Sequence, residues 1–420
     1  MSTLSPIAPS RRLELVDALR GFAIFGILMV NLHAMFIPAV EYLMMPDFSN
    51  GIANEISDYI VTVLFAGKYM TLFSLLFGFG FFNFLYKGGE LSPGKVRTFL
   101  KRIFWLLVIG ILHVTFLWPG DILFFYALFG FILILFRKSS IRKISIWMLV
   151  FFLLPIVFVG ILSAMPTLLS SNPEALNAME ESNRQQAAQT TALIQSAYEI
   201  YSSGSYTQII SMNWQNWSAL LPGSLIVYCL GMAMFLLGLI FARKQLFHNY
   251  RDHLPLFRKI LWIALPIAIP LNLALPFIAK QTEPFVMNGW FFLVALFMTV
   301  GGVALMLSNV SAFILLYANG KINKLASMLA PVGRMALTNY LMHSLIALFI
   351  AAPFGLGLYG KVQLWQSLLL TVAIFVFQIF FSRWWLSKFS FGPAEWLWRS
   401  LTYGKIQGFK RQLTITPLEA

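Results

Sequence analysis

The sequence is short of the residues that build a water-soluble fold. Of its 420 residues, 11% are charged and one is a cysteine, Cys229, whereas 59% are hydrophobic. A single cysteine excludes a disulfide framework within the chain and a metal cluster built from cysteines. Since so few charged residues cannot cover a soluble globule, lipid is the expected solvent of most of the chain.

The hydrophobic residues form ten apolar runs, which predicts an all-α, polytopic transmembrane helix bundle. Most runs approach the length of about 20 residues that a helix needs to cross a bilayer. The fourth run is short, and the eighth is long enough to tilt or kink. In chain order, the runs are 21–40, 60–86, 103–118, 122–136, 144–168, 218–241, 260–279, 287–316, 333–354 and 363–386.

The basic residues lie almost entirely in alternate loops. By this division 26 of the 30 Lys and Arg fall on one side, and the others are Lys68, Arg184, Lys280 and Lys361. The positive-inside rule puts the basic side and both chain termini in the cytoplasm. The net charge of +14 therefore reflects topology, and we expect no nucleic acid partner.

One long excursion on the opposite side divides the chain. It covers residues 169–217 and separates an N-terminal five-span unit, 1–168, from a C-terminal five-span unit, 218–420, which ends in a cytoplasmic amphipathic tail. Within it, 173–200 is rich in Ala, Gln and Glu with spaced apolar residues. This pattern predicts a helix across the outer mouth of the bundle, with a solvated surface loop as the alternative.

Charged residues at the cytoplasmic end of two spans are candidates for binding an anion. Asp17 and Arg20 are three residues apart, so they share one face where the first span begins. Arg334 begins the ninth span from the same side. Because guanidinium groups grip phosphates or carboxylates in two-pronged fashion, the two arginines are candidates for one anionic ligand, with interfacial anchoring as the alternative.

The turn between the third and fourth spans brings a histidine close to a carboxylate. His113 precedes the Trp118-Pro119-Gly120-Asp121 turn. Asp121 would orient the imidazole of His113, which would act as a general base near the outer half of the membrane. Alternatively, Asp121 caps the fourth helix and His113 only bonds within the bundle. His33 in the first span is the alternative base.

Other polar residues within the spans must face protein rather than lipid, since lipid makes them costly. They are candidates to line a pathway, although an amide such as Asn31 also joins helices. The depth of Lys68 depends on where the second span begins. The candidates are Asn31, Lys68, Ser74, Asn339 and His343. No metal site or bound cofactor is expected.

Six short motifs occur in order along the chain: Leu15–Gly21, Asn31, Leu72–Gly78, Gly120–Leu123, Gly333–Tyr340 and Phe391–Arg399. Together they resemble the YeiB-like family of bacterial multi-spanning membrane proteins, most of which are uncharacterised. The resemblance implies an integral protein of the bacterial cytoplasmic (inner) membrane.

The Asp17-x-x-Arg20-Gly21 motif is also similar to that of the broader transmembrane acyltransferase superfamily, which includes heparan-alpha-glucosaminide N-acetyltransferase. This similarity implies transfer of an acyl group from cytosolic acyl-CoA, a co-substrate, to an envelope sugar or lipid. The segment that supplies the catalytic histidine of that superfamily has no counterpart in 41–58. Either His113 or His33 takes that role, or this branch does not transfer acyl groups.

Two other functions fit the same residues. The chain would be a transporter or flippase for an amphipathic anion if the buried charges lined a pathway. It would be a non-catalytic sensor or partner subunit if 169–217 were a contact surface. The sequence does not fix the oligomeric state.

Overall fold

The computed structural model describes residues 13–43, 50–87, 90–92, 94–282 and 286–410. Fifteen α-helices follow one another in this part of the chain. They are α1 (Glu14–Ala34), α2 (Ala39–Leu43), α3 (Ile52–Ile60), α4 (Lys68–Leu85), α5 (Lys95–Phe116), α6 (Leu123–Leu133), α7 (Ile141–Leu168), α8 (Pro173–Ser203), α9 (Tyr206–Arg243), α10 (Leu254–Ala279), α11 (Gly289–Ala318), α12 (Asn323–Arg334), α13 (Ala336–Ala351), α14 (Leu364–Lys388) and α15 (Pro393–Tyr403).

The prediction of an all-α bundle is confirmed. Within the described ranges the strands are a two-stranded hairpin, β1 (Tyr86–Lys87) and β2 (Glu90–Leu91), which pairs antiparallel. Large exposed apolar side chains cover α7 and α10; Trp262, for example, is 74% exposed. Helices with such outer faces contact lipid, so the chain is an integral membrane protein.

All ten apolar runs fold as helices, but they do not all qualify as spans. In the described part of the chain, eight segments are long and apolar enough to cross a membrane, or nine if α12 and α13, bent by 78°, count together. The fourth run, α6 with its 3-10 extension Ile134–Phe136, rises only about 21 Å at 1.5 Å per residue. The hydrocarbon core is about 30 Å thick, so the total of ten stays a prediction.

The cytoplasmic location of the termini also stays a prediction, and residues 1–12 and 411–420 lie outside the described residues. The division at 169–217 is likewise untested. Helices from before and after this segment intermix: α1 packs along α12, and α4 packs along α9.

A break within the second run decides the depth of Lys68. A π-helical turn, Val61–Phe65, follows α3, and Gly67 takes a left-handed conformation (φ 77°) before α4 starts at Lys68. The ammonium group donates to the carbonyl of Thr62, 2.6 Å away, and the residue is 1% exposed. Lys68 is therefore buried in protein and bonded to the backbone of the break.

Residues 169–217 are largely helical. The prediction of a helix over 173–200 is confirmed by α8, and the alternative of a loop is wrong. Its last turns are held by packing, since Ala197 and Tyr201 are buried and the ring of Tyr201 lies 4.8 Å from that of Tyr359. Most of the preceding part of α8 is exposed.

Candidate functional site

Three buried side chains lie in a row where α5, α6 and α13 meet, with a hydrogen bond between His113 and Ser344 and an ion-pair contact between His113 and Asp121. Nδ1 of His113 lies 3.0 Å from Oδ1 of Asp121, and Nε2 lies 2.8 Å from Oγ of Ser344. Each of the three residues is at most 2% exposed. We call this row the acid-base row.

The turn after α5 fixes the carboxylate of this row. The backbone N–H groups of Leu117 and Trp118 both donate to the carbonyl of His113, which ends α5. Oδ2 of Asp121 accepts from the N–H of Phe124 at 2.7 Å, in the first turn of α6. One carboxylate therefore caps a helix and faces the imidazole at the same time, so the two interpretations of Asp121 do not exclude each other.

The hydrogen-bonding capacities of the groups set the direction of the row. If the carboxylate of Asp121 is ionised, it can only accept, and this favours the tautomer of His113 that carries its proton on Nδ1, 3.0 Å from Oδ1. In that tautomer Nε2 presents its lone pair, and the hydroxyl of Ser344 is the donor of the 2.8 Å bond between them. Serine, histidine and aspartate in this order form the arrangement that activates a serine for attack on an acyl carbon.

Close helix contact holds the row together. A Cβ at Gly110 would lie 2.6 Å from the nitrogen of Phe124 and 3.0 Å from Oδ2 of Asp121, so α6 begins against bare backbone of α5. The ring of Tyr340 lies 5.2 Å from that of His113, and its hydroxyl accepts from the N–H of Ile122 at 3.3 Å. These contacts restrict both the histidine and the turn.

A cavity opens beside Ser344, and we call this end of the bundle the pocket end. Its volume is about 30 Å³, which is room for about one water molecule. The lining is mostly apolar and comes from the segment after α1, from α2, α8, α9 and α13, and from the turns after α5 and α13. Besides Ser344, Tyr201 and Asn213 contribute polar atoms; the phenol donates to Oδ1 of the amide at 2.7 Å. Burial raises the pKa of Tyr201, so this phenol stays neutral.

The other end of the bundle, which we call the basic end, gathers the arginines. Nη1 of Arg20 lies 2.8 Å from Oδ1 of Asp17. A Cβ at Gly333 would collide with the carbonyl of Asp17 and lie 2.9 Å from Cβ of Arg20. Arg334, the next residue, therefore belongs to the same helix crossing as Arg20.

Two further arginines lie at the basic end. The guanidinium of Arg102 stacks 3.9 Å from the ring centre of Trp398, and its charge interacts with those of Arg20 and Arg399. Arg399 lies over the ring of Phe391. A cluster of like charges such as this favours an anionic ligand.

Glu395 joins this end to the helix that carries Ser344. Its carboxylate accepts from the N–H groups of Leu337 and Thr338, at 2.7 and 3.1 Å, and from the hydroxyl of Thr338 at 2.6 Å. It therefore caps the start of α13 from α15. Burial raises the pKa of Glu395, against the effect of these hydrogen bonds.

The remaining candidates do not join either group. Asn339 and His343 face α14: the amide donates to Oγ of Ser382 at 3.0 Å, and Nε2 of the imidazole lies 3.0 Å from Oε1 of Gln378. Gln378 in turn donates to the carbonyl of Asn339 at 3.0 Å. We call these four residues the amide network.

Ser74, His33 and Asn31 lie elsewhere in the bundle. Ser74 bonds to the carbonyl of Met70 and the hydroxyl of Tyr126, at 2.8 and 2.7 Å. His33 is buried near the end of α1, and Asn31 is half-buried there. Among the described residues, no group of three or more His, Cys, Asp or Glu could hold a metal ion.

Sequence reasoning missed Ser344, although it predicted the pairing of His113 with Asp121. Ser344 and His113 are 231 residues apart, and no local pattern joins them. One signal was available: Tyr340 and Ser344 are four residues apart and so share a helical face.

Known proteins are similar to this chain in sequence. Residues 241–405, which include Ser344 and Glu395, match the family described as protein of unknown function (DUF418). The chain is 31% identical over 420 residues to the uncharacterized protein YxaH of Bacillus subtilis (strain 168), covering 96% of this chain and 97% of the relative. It is 27% identical over 398 residues to the uncharacterized protein YeiB of Escherichia coli (strain K12), covering 92% and 95%.

Proposed function

The chain belongs to the YeiB-like (DUF418) family of membrane proteins, and we propose that it is an acyltransferase that works across the membrane. It takes an acyl group from cytosolic acyl-CoA at the basic end and passes it to a sugar or lipid hydroxyl of the cell envelope at the pocket end. The observation that carries this proposal is the acid-base row of Asp121, His113 and Ser344 beside the pocket.

The row supplies what acyl transfer to a hydroxyl requires. A hydroxyl becomes an effective nucleophile when a base removes its proton during attack, and an oriented neutral imidazole is suited to this near pH 7. Asp121 stabilises the imidazolium that results. Because the row is buried among apolar side chains, water competes poorly with the acceptor.

The arginines of the basic end suit the donor. Coenzyme A carries phosphates, which guanidinium groups bind in two-pronged fashion. Arg20 lies 2.8 Å from Asp17 yet keeps 29% of its side chain exposed, so an anion can approach it. The positive-inside rule assigns this end to the cytoplasm, where acyl-CoA is made available.

The distance between the two ends agrees with the reach of the donor. Arg102 and His113 are eleven residues apart on α5, which is about 16 Å along the helix axis. The arm of coenzyme A has about thirteen chain atoms between phosphate and sulfur, equivalent to a four- to five-residue peptide, and extends to roughly 15 Å. Phosphates at the basic end are therefore compatible with a thioester near His113.

The transporter or flippase alternative has less support. It needs polar side chains that line a pathway, whereas Asn339 and His343 bond to the side chains of α14. Such interhelical bonds stabilise packing. The sensor alternative requires α8 to be a contact surface for a partner. The end of α8 instead contributes Tyr201 to the lining of the pocket.

Thiol release from purified protein tests the proposal. Acetyl-CoA and longer acyl-CoAs are supplied with an alkyl glucoside as a surrogate acceptor, and each donor is compared with the acyl thioester of N-acetylcysteamine, which lacks the phosphates. We expect turnover of the CoA thioesters at lower concentrations than the truncated donor. The proposal is wrong if acyl-CoAs are neither turned over nor protect the protein from thermal unfolding. In that case, uptake of anionic lipids into proteoliposomes tests the transporter alternative.

A further inference from the structure

We propose that Ser344 is the first acceptor of the acyl group and carries it as an ester between the two substrates. This inference rests on the proposed function, which it deepens by adding a covalent intermediate. The nucleophile is Oγ of Ser344, the base is Nε2 of His113, and Asp121 positions the imidazole.

The position of Ser344 makes it the hydroxyl that His113 deprotonates first. Its Oγ already lies 2.8 Å from Nε2, while the other ring nitrogen of His113 lies 3.0 Å from the carboxylate of Asp121. Ser344 also lines the pocket, so an acceptor in the pocket meets the serine before it meets the imidazole. Direct attack by an acceptor hydroxyl would require Ser344 to leave this bond.

Other buried serines of the bundle bond differently. Ser57 and Ser308 each donate to the carbonyl four residues earlier in their own helix, at 2.7 and 2.8 Å. This is the usual way in which a serine satisfies its hydroxyl within a helix. Ser344 instead bonds across the bundle to a histidine that is paired with a carboxylate.

The first step is attack on the donor. Oγ of Ser344 adds to the thioester carbonyl while Nε2 of His113 takes the hydroxyl proton. The carbon–sulfur bond then breaks, and the departing thiolate takes that proton from the imidazolium. The products are an acyl ester on Ser344 and free coenzyme A.

The second step is attack by the acceptor. A sugar or lipid hydroxyl adds to the ester carbonyl and gives its proton to Nε2. The bond between the acyl carbon and Oγ breaks, and His113 returns the proton to Ser344. The net reaction converts a thioester and an alcohol into an ester and a thiol, with no oxidant or reductant.

A covalent intermediate fits substrates that arrive from opposite ends of the bundle. Donor and acceptor then never need to occupy the site together, because coenzyme A leaves before the acceptor attacks. The ester would be shielded by the apolar surroundings of Ser344, which is 1% exposed. Shielding from water favours transfer over hydrolysis.

A fluorophosphonate probe tests the nucleophile without any acyl donor. Such probes bond covalently to serines activated by an adjacent base. We expect labelling of the wild-type protein at Ser344, none in Ser344→Ala, and at least 100-fold slower labelling in His113→Gln, which lacks the base. The matched control is Ser308→Ala, a buried serine bonded within its own helix, which should label like the wild type. A folded wild-type protein that does not label overturns the inference.

A second measurement separates this inference from the proposed function. After exposure to acetyl-CoA, peptide mass spectrometry should find one acetyl group on Ser344. If the probe labels Ser344 but neither acetylation nor turnover is seen, Ser344 is still a nucleophile, but acyl-CoA is not its donor. Turnover that persists in Ser344→Ala and still depends on His113 would overturn the covalent step and leave direct transfer.

Ser344→Cys keeps the inference testable if Ser344→Ala fails to fold, because it retains a nucleophilic side chain at this position. It is made in a Cys229→Ala background, so the protein contains a single thiol. We expect the acetyl group to form a thioester that neutral hydroxylamine removes, whereas the serine ester of the wild type resists it. A folded Ser344→Cys protein that never acquires the acetyl group counts against the inference.

Discussion

Two buried polar clusters on the same helix differ in what they leave available for chemistry. Ser344 of α13 belongs to the acid-base row, and the adjacent His343 belongs to the amide network with α14. Both clusters contain a buried histidine. The acid-base row includes a carboxylate and borders a cavity, whereas the amide network closes on itself through Gln378 and Asn339. Burial of a histidine alone therefore does not indicate a site.

The largest expected difference between the clusters is in turnover. His113→Gln should lower the rate of thiol release from acyl-CoA by about 10²- to 10⁴-fold, because the general base is lost. His343→Gln is the matched control, since its amide N–H can replace the imidazole nitrogen that lies 3.0 Å from Oε1 of Gln378. Steady-state rates of both purified variants decide the matter. Equal losses in the two would contradict the assignment.

The next largest effect tests the geometry of the acid-base row. Gly110→Ala places a methyl group against the first turn of α6 and Oδ2 of Asp121. We expect a stability loss of about 1–3 kcal/mol from overpacking. We also expect roughly 100-fold slower turnover from displacement of the row. Thermal unfolding and thiol release measure the two effects.

The control for this variant is Gly302→Ala, where a Cβ would meet no atom within 4 Å. Both substitutions add a methyl group inside a helix. Turnover in Gly110→Ala that matches the control would show that Asp121 tolerates displacement, contrary to its positioning role.

A smaller effect is expected at the basic end. Arg20→Ala should raise KM for acyl-CoA about tenfold or more, since a hydrogen bond to a charged group contributes about 1.5–3 kcal/mol. It should leave KM for the N-acetylcysteamine thioester unchanged, because that donor lacks phosphates. Arg142→Ala, an exposed arginine on α7, serves as the control. A parallel change with both donors would argue against phosphate binding by Arg20.

The smallest effect on turnover is expected from the amide network. Ser382→Ala removes the partner of the Asn339 amide and should cost about 0.5–2 kcal/mol of stability, as membrane hydrogen bonds do. Turnover of the folded protein should stay within about twofold, because the network contacts no reacting group in our account. A large loss of turnover at unchanged stability would give the network a role in function.

The sequence predicted the features that lipid imposes. Every apolar run became a helix, because a chain in lipid must satisfy its backbone hydrogen bonds internally. The proximity of His113 to Asp121 could also be predicted, since a short turn connects α5 and α6. The number of spans was harder to predict, because α6 is short and α12 and α13 are bent by 78° relative to each other.

The direction in which a buried side chain points could not be predicted from the sequence. His343 and Ser344 are neighbours, but successive helical residues point about 100° apart, so one faces α14 and the other faces α5. Hydropathy treats both simply as polar residues in an apolar run. The depth of Lys68 likewise depended on the break at Gly67, which composition does not reveal.

The most direct test of the account is the time course of coenzyme A release in the first turnover. At protein concentrations comparable with that of acetyl-CoA, we expect a burst of about one thiol per chain, followed by a slower steady rate, because the ester on Ser344 forms faster than it is released. The burst should vanish in Ser344→Ala and persist in Ser308→Ala. A linear time course that Ser344→Ala does not alter would contradict the account.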